Sequence, residues 1–192
     1  MHFRYVDIKT DYELLDDFAK RCKLKKYLNN SSVDIMMNQK SENSQAIIAI
    51  EDDQIQAFAG CHQMNVGLWR VGDRMVSLSA KDIWTRSAGE RMLKILSAQL
   101  IALQMAWINH TYGECTYITT TNAPGLSKET AGKSHKIDAA FKRSNVLQLI
   151  DEEVELYGVI QNIYRIDYEA FMTMLSKECV SHTYEEGMII NG

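Results

Sequence analysis

The sequence predicts an α/β domain with a mixed, mostly antiparallel central sheet and helices on both faces. Three observations carry this. Apolar, β-branched runs come in pairs joined by short polar turns, over residues 46–61 and 146–166, and such pairs read as antiparallel hairpins. Between them the apolar period lengthens to that of a helix over residues 87–110, with a strand before and a strand after. A strand–helix–strand crossover joins parallel neighbours, so the sheet is mixed. Finally, 192 residues, 46% hydrophobic and 24% charged, make one domain able to bury roughly 70% of the surface its unfolded chain exposes.

The elements follow in order. His2–Ile8 alternates weakly as a strand. Thr10-Asp11-Tyr12-Glu13 fits a capping box, and Leu14, Leu15, Phe18 and Cys22 then mark one apolar helix face, ending near Leu28 before the polar break at Asn29–Ser32. A short helix is expected over Val33–Asn38. Ala46–Ile50 and Ile55–Cys61 are strands around the turn Glu51–Gln54, and Leu68–Ser79 is a third. Ser87–His110 is the long helix, with Met92, Ile95, Leu96, Leu100, Leu103 and Trp107 at helical spacing. Thr116–Thr121 is a strand dense in β-branched and aromatic residues, ending at Asn122. After a polar loop, Ala123–Ser134, come a short helix at Ile137–Arg143 and two strands, Val146–Ile150 and Gly158–Ile166, around an acidic turn at Asp151-Glu152-Glu153. A helix at Tyr168–Lys177 is last. The chain reads as a single domain over 1–192, with a core of about 2–166 and a C-terminal helix and tail over 167–192.

Composition excludes several classes of function. A net charge of −4 argues against a surface that binds nucleic acid throughout. Cys22, Cys61, Cys115 and Cys179 form no CxxC and no zinc-ribbon spacing. The five histidines include no i, i+4 pair, so metal-dependent hydrolysis has no motif here. The first ten residues lack the apolar core of a signal peptide. Leu96–Ile108, broken by Ser97, Gln99 and Gln104, is too short and polar to span a bilayer. A cytoplasmic protein without membrane attachment is the expectation.

This order of elements resembles the GNAT superfamily of N-acetyltransferases over about residues 2–166, including GNAT-like proteins encoded by bacteriophages. Ile47–Gly60 (IIAIEDDQIQAFAG) is similar to the family's second and third strands. Arg86-Ser87-Ala88-Gly89-Glu90-Arg91 stands where the family carries its phosphate loop, R/Q-x-x-G-x-G/A. Arg86 and Gly89 match; Arg91 replaces a small residue. Ala139–Val146 resembles the family's A-x-Y-x-x-x-G-F, with Phe141 in place of the tyrosine that often acts as general acid and Asn145 in place of the glycine.

The resemblance implies an acyltransferase using acetyl-coenzyme A or another acyl-coenzyme A as co-substrate, with a small-molecule or peptide amine as acceptor. Two central strands would part near Leu78 and Thr121 and hold the pantetheine arm. Leu78, Ser79, Arg86, Ser87, Ala88, Gly89 and Asn122 are the implied cofactor-binding positions. The physical chemistry agrees: a helix N-terminus offers unpaired N–H groups and partial positive charge, glycine lets a phosphate approach the backbone, and arginine suits phosphate oxygens. An ordinary loop entering a helix has the same letters. His62 or Asp82, each near a strand end, is a candidate base. Tyr164 and Tyr157 are candidates for the acid that Phe141 is not, or plain sheet aromatics. Cys61, adjacent to His62, points to the opposite face of its strand and reads as a buried apolar residue rather than a nucleophile.

Two other readings stay open at this stage. Gly125–Ser134 ends in GKS, but its first glycine is misplaced for a phosphate-binding P-loop. What survives is a basic stretch, Lys128, Lys133, Lys136, Lys142 and Arg143, fit for the 3′-phosphate of coenzyme A or a nucleic-acid backbone. It motivates a phage-type enzyme that modifies nucleic-acid bases on the same scaffold. The Arg91 and Phe141 departures motivate a non-catalytic binding or homodimerisation module, whose central strands would stay paired along their length.

Overall fold

The computed structural model describes residues 2–22, 43–77, 88–122, 138–176 and 183–184. Eight strands form one sheet: β1 (His2–Tyr5), β2 (Ser44–Glu51), β3 (Gln54–Asn65), β4 (Leu68–Ser77), β5 (Thr116–Asn122), β6 (Leu147–Leu156), β7 (Val159–Ile166) and β8 (Thr183–Tyr184). Their order across the sheet is β6-β7-β5-β4-β3-β2-β1-β8. Every neighbouring pair is antiparallel except β4–β5 and β1–β8. Three helices are α1 (Ile8–Arg21), α2 (Ala88–Tyr112) and α3 (Tyr168–Ser176), and residues 138–142 form a further helical turn. The mixed, mostly antiparallel sheet is as the hairpin pairs and the single crossover require. No described helix is long and apolar enough to cross a membrane.

Alternation along the strands divides the core. Ala46, Ile48 and Phe58 join Leu15 and Phe18 of α1 and Cys22 just beyond it on one face. Ile47, Ala49, Ala57 and Ala59 join Leu96, Leu100 and Leu103 of α2 on the other. A second α2-side cluster packs Trp69, Val71 and Tyr117 on Ile101, Met105, Ile108 and Phe171 of α3. The all-round apolarity of α2 follows from this position.

Three local expectations change. Helix α1 starts at Ile8, capped by Asp7, whose Oδ1 accepts from the Lys9 amide at 3.0 Å; Thr10 is inside the helix. Asp11 is recruited one turn in: its carboxylate takes both Arg4 guanidinium nitrogens, at 2.6 and 2.7 Å, and the Asp7 amide at 2.8 Å. The helix stops at Arg21, with Cys22 as C-cap, short of Leu28. Late in the chain, Asp151, Glu152 and Glu153 are not a turn. They lie within β6, at a bulge where Glu153 has φ 55°, and their charges protect an edge strand from adding another chain. The turn is Tyr157-Gly158, both at positive φ, as a two-residue hairpin of this hand requires. Strand β8, pairing parallel to β1, was not foreseen in the tail. The short helix expected over Val33–Asn38 lies outside the described residues.

Candidate active site at the parting of the central strands

Strands β4 and β5 pair at Leu68–Thr116, Trp69–Tyr117 and Arg70–Ile118. Beyond that, no pair joins them among the described residues, although β4 continues to Ser77 against β3 and β5 to Asn122 against β7. The sheet therefore opens a gap in its middle, with its vertex at Arg70 and Ile118.

The sequence of β4 places charge at this vertex by means of a bulge. His62 pairs with Arg70 and Gly60 with Asp73, so two steps on β3 are met by three on β4. Gly72 absorbs the extra residue at φ 67°, a conformation glycine adopts without a Cβ penalty. Its N–H leaves the ladder and donates to Gln104 Oε1 of α2 at 2.8 Å. In a regular strand, residues three apart face opposite sides. Here the bulge turns Asp73 to the same side as Arg70 and His62, the side on which α1 packs.

These three side chains are buried, His62 to 3% exposure. Asp73 Oδ2 lies 3.5 Å from His62 Nδ1, and Oδ1 lies 3.3 Å from Arg70 Nη2. The same Nη2 donates to Thr120 Oγ1 at 2.7 Å and to Gln161 Oε1 at 2.9 Å, so Arg70 reaches across the vertex to β5 and β7. Its Nε and Nη1 are buried without a hydrogen-bond partner. Tyr157, from the β6–β7 turn, completes the group: its hydroxyl is 3.0 Å from His62 Nε2, and the Arg70 guanidinium lies 5.8 Å from its ring centroid. One guanidinium, one carboxylate and one imidazole thus converge where the sheet opens, with the Tyr157 side chain against them.

A second polar cluster occupies the α2 side. Asp138, buried at the start of the 138–142 turn, accepts from Tyr164 Oη at 2.5 Å, Asn162 Nδ2 at 2.8 Å and Thr121 Oγ1 at 3.2 Å. Burial pushes its carboxyl up. The hydrogen bonds from Tyr164 and Asn162, the charge of Lys142 3.5 Å away and the bond from Thr121 outweigh that and leave it below its ordinary value. Tyr164 moves the other way: burial and the neighbouring carboxylate both hold its hydroxyl protonated.

Several solved structures share this architecture at low identity. An aminoglycoside 6′-N-acetyltransferase from Enterococcus faecium superposes with a TM-score of 0.56 at 12% identity, over 86% of this chain and 96% of that one. An acyl-CoA N-acyltransferase from Pseudomonas aeruginosa gives 0.53 at 15%, over 86% and 97%. An aminoglycoside 6′-N-acetyltransferase complexed with coenzyme A gives 0.50 at 16%, over 86% and 96%. The chain has the GNAT fold. No family model and no curated protein sequence matches it, so the likeness lies in the fold.

Against the GNAT fold, the residues expected from the sequence fall as follows. His62 lies at the vertex of the gap. Tyr164 lies on the opposite face, fully buried, its proton directed at Asp138 and its ring edge-on to Phe141 at 5.3 Å. Ala88 and Gly89 are the first residues of α2, and Asn122 ends β5, paired with Gln161. Leu78, Ser79, Asp82, Arg86 and Ser87 lie outside the described residues. Cys61 faces α2, and burial pushes its thiol up to about 12, a poor nucleophile. Of the basic stretch, Lys142 is paired with Glu152 at 2.6 Å, while Lys128, Lys133 and Lys136 lie outside the described residues. Among the described residues, β4 and β5 pair at three positions, short of the full-length pairing expected of a non-catalytic module. Arg70, Asp73, Thr120 and Gln161 were missed; Gly72 inside a strand was the one signal of a bulge.

Proposed function

We propose that the chain is an acyl-coenzyme A-dependent N-acyltransferase acting on a small-molecule or peptide amine. The observation that carries this reading is the parting of β4 and β5 directly above a buried charged cluster. Backbone N–H and C=O groups that face the gap are left out of the sheet ladder, and an extended arm carrying amides is the ligand that pairs with them. Leu78, Ser79 and Asn122 belong to that groove in this reading. The Arg86–Gly89 segment leading into α2 takes the pyrophosphate, with Arg86, Ser87, Ala88 and Gly89 as its contacts. The neighbours whose names include acetyltransferase or acyltransferase support the reaction class, and the neighbour solved with coenzyme A supports the co-substrate.

The reaction joins the acceptor nitrogen to the thioester carbonyl carbon and breaks the carbon–sulfur bond, releasing coenzyme A as the thiol. The acceptor enters as the neutral amine, its ammonium proton already given to solvent, and its nitrogen sheds one further proton as the new bond forms, so a base is needed. His62, with Asp73 behind its Nδ1, is that base. Tyr164 does not suit the acid role, because its hydroxyl is spent on Asp138.

Calorimetry with acetyl-coenzyme A tests the reading. Binding by wild type is expected, and Gly89→Val is expected to weaken it by tenfold or more, since each charge-assisted phosphate bond is worth roughly 1.5–3 kcal/mol. No binding by the wild type at millimolar acetyl-coenzyme A would sink it.

A further inference from the structure

Tyr157 has no counterpart in the roles just assigned, yet it sits at the mouth of the site. It is 54% exposed and comes from the far hairpin, across β5 and β4, to touch a histidine on β3. It does so from φ 54°, a turn position where Asn, Asp or Gly is preferred. A tyrosine held there against local preference points to a role for its side chain.

Asp73 Oδ2 stands 3.5 Å from His62 Nδ1, and an aspartate carboxylate accepts rather than donates. In the neutral ring it favours the hydrogen on Nδ1, which leaves the Nε2 lone pair to accept from the Tyr157 hydroxyl at 3.0 Å. His62 is 3% exposed and both its nitrogens are engaged. The imidazole is closed to solvent, while Tyr157 is the exposed member of the line.

We infer that Tyr157 is the catalytic residue that meets the acceptor amine, in a relay Tyr157–His62–Asp73 entered from the side of the sheet on which α1 packs. This rests on the acyl-transfer reading. As the nitrogen–carbon bond forms, the amine gives a proton to Tyr157 Oη, and Tyr157 passes its own proton to His62 Nε2. The imidazolium is held by Asp73. The Arg70 guanidinium, 5.8 Å from the tyrosine ring, favours any negative charge that builds on the phenol oxygen. Nitrogen and sulfur are bonded to the same carbon in the tetrahedral intermediate, so one hydroxyl serves both. When the carbon–sulfur bond breaks, the proton returns from His62 through Tyr157 to the departing sulfur. Base and acid are one group, so the relay needs no second acid.

Two measurements test this. Nitrogen-15 NMR of the histidine rings, on wild type and Tyr157→Phe, needs no acceptor: His62 is expected as the Nδ1–H tautomer in wild type, with its Nε2 signal shifted when the hydroxyl is removed. An Nε2–H tautomer in wild type would overturn the relay, because His62 would then donate to Tyr157 and be unable to take its proton. Turnover of acetyl-coenzyme A is then followed by release of thiol, with spermidine, kanamycin and a lysine peptide as acceptor probes. Tyr157→Phe and His62→Gln are each expected to lower kcat by on the order of 10²–10⁴, and the double variant by no more than either alone, with acetyl-coenzyme A affinity unchanged. Full turnover by Tyr157→Phe beside a dead His62→Gln would remove Tyr157 from the path while leaving acyl transfer intact. Failure of wild type to bind acetyl-coenzyme A would instead remove the acyl-transfer reading, and the tyrosine's role with it.

Discussion

Gly72→Ala tests whether the β4 bulge is what assembles the site. At φ 67°, an L-residue costs about 1–2 kcal/mol over glycine. The new Cβ would lie 3.2 Å from Met75 Cε and 3.3 Å from Ile101 Cδ1. Both are ends of flexible side chains, so crowding adds only about a few tenths of a kcal/mol. The expected loss is about 1–2 kcal/mol, which for a chain of this length lowers Tm by roughly 2–8 °C. Gly113→Ala is the control: its φ is 79° with nothing within 4 Å of the added Cβ, so it carries the backbone cost without the crowding.

The pair is read by thermal and urea unfolding, with the His62 ring signals as a local probe. Gly72→Ala is expected to fall slightly below Gly113→Ala in stability and, unlike it, to shift the His62 resonances, because Asp73 is aimed by the bulge. Deleting Gly72 is the harsher variant. A one-residue slip turns Asp73 toward the apolar side of Trp69 and Val71, where a lone carboxylate costs several kcal/mol, and cooperative unfolding should be lost. If Gly72→Ala matched wild type while Gly113→Ala fell, or if the deletion folded normally with its His62 signals in place, the bulge argument would be wrong.

Other expectations follow from the two polar clusters. Tyr164→Phe keeps the ring packing on Phe141 but removes a hydrogen bond to a buried carboxylate, and should cost about 1.5–3 kcal/mol in urea unfolding; a loss below about 0.5 kcal/mol would contradict the bond. Asp11 and Asp138 both sit below the ordinary carboxyl value of 3.8 in the folded chain. Their stabilisation is therefore complete above that value and is lost as pH falls through it toward their folded values. A plot of Tm against pH should drop on this acid limb, and Asp11→Asn with Asp138→Asn should flatten it. Buried Cys61, its thiol pushed up to about 12, should resist a thiol reagent at neutral pH until the protein unfolds, and prompt labelling would place it outside the core.

The sequence showed the architecture because periodicity reports which face is buried. The α2 stripe, the Ala46–Ile50 and Ile55–Cys61 runs and the β5 run each became the expected element. It showed His62 only as a residue near a strand end. What it hid depends on breaks in alternation. Arg70 and Asp73, three apart, read as opposite-facing until the bulge at Gly72 puts them together. Tyr157 read as a candidate acid or a sheet aromatic, and not as a turn residue, because the acidic triplet 151–153 looked like the turn, and charge tolerates an exposed edge strand as well as a loop. The N-cap went to Asp7 rather than Thr10 for a tertiary reason: Asp11 is more valuable inside the first turn, where it meets Arg4 and the Asp7 amide.

A gap in the middle of a sheet forfeits backbone hydrogen bonds between its two walls, and each wall is anchored on the side away from the opening. The β4 wall is tied to β3 by its ladder and to α2 by Gln104 at Gly72. The β5 wall is tied to β7 and, through Thr121, to Asp138 of the 138–142 turn, which Asn162 and Tyr164 of β7 also hold. Arg70 crosses the vertex, from β4 to Thr120 on β5 and Gln161 on β7, and Tyr157 reaches across it to His62 on β3. Each wall thus belongs to its own packed layer, and a buried guanidinium fixes where the walls meet. The arginine that holds the vertex is also the one beside Asp73 and Tyr157, so the geometry of the opening and the alignment of the relay rest on the same side chain.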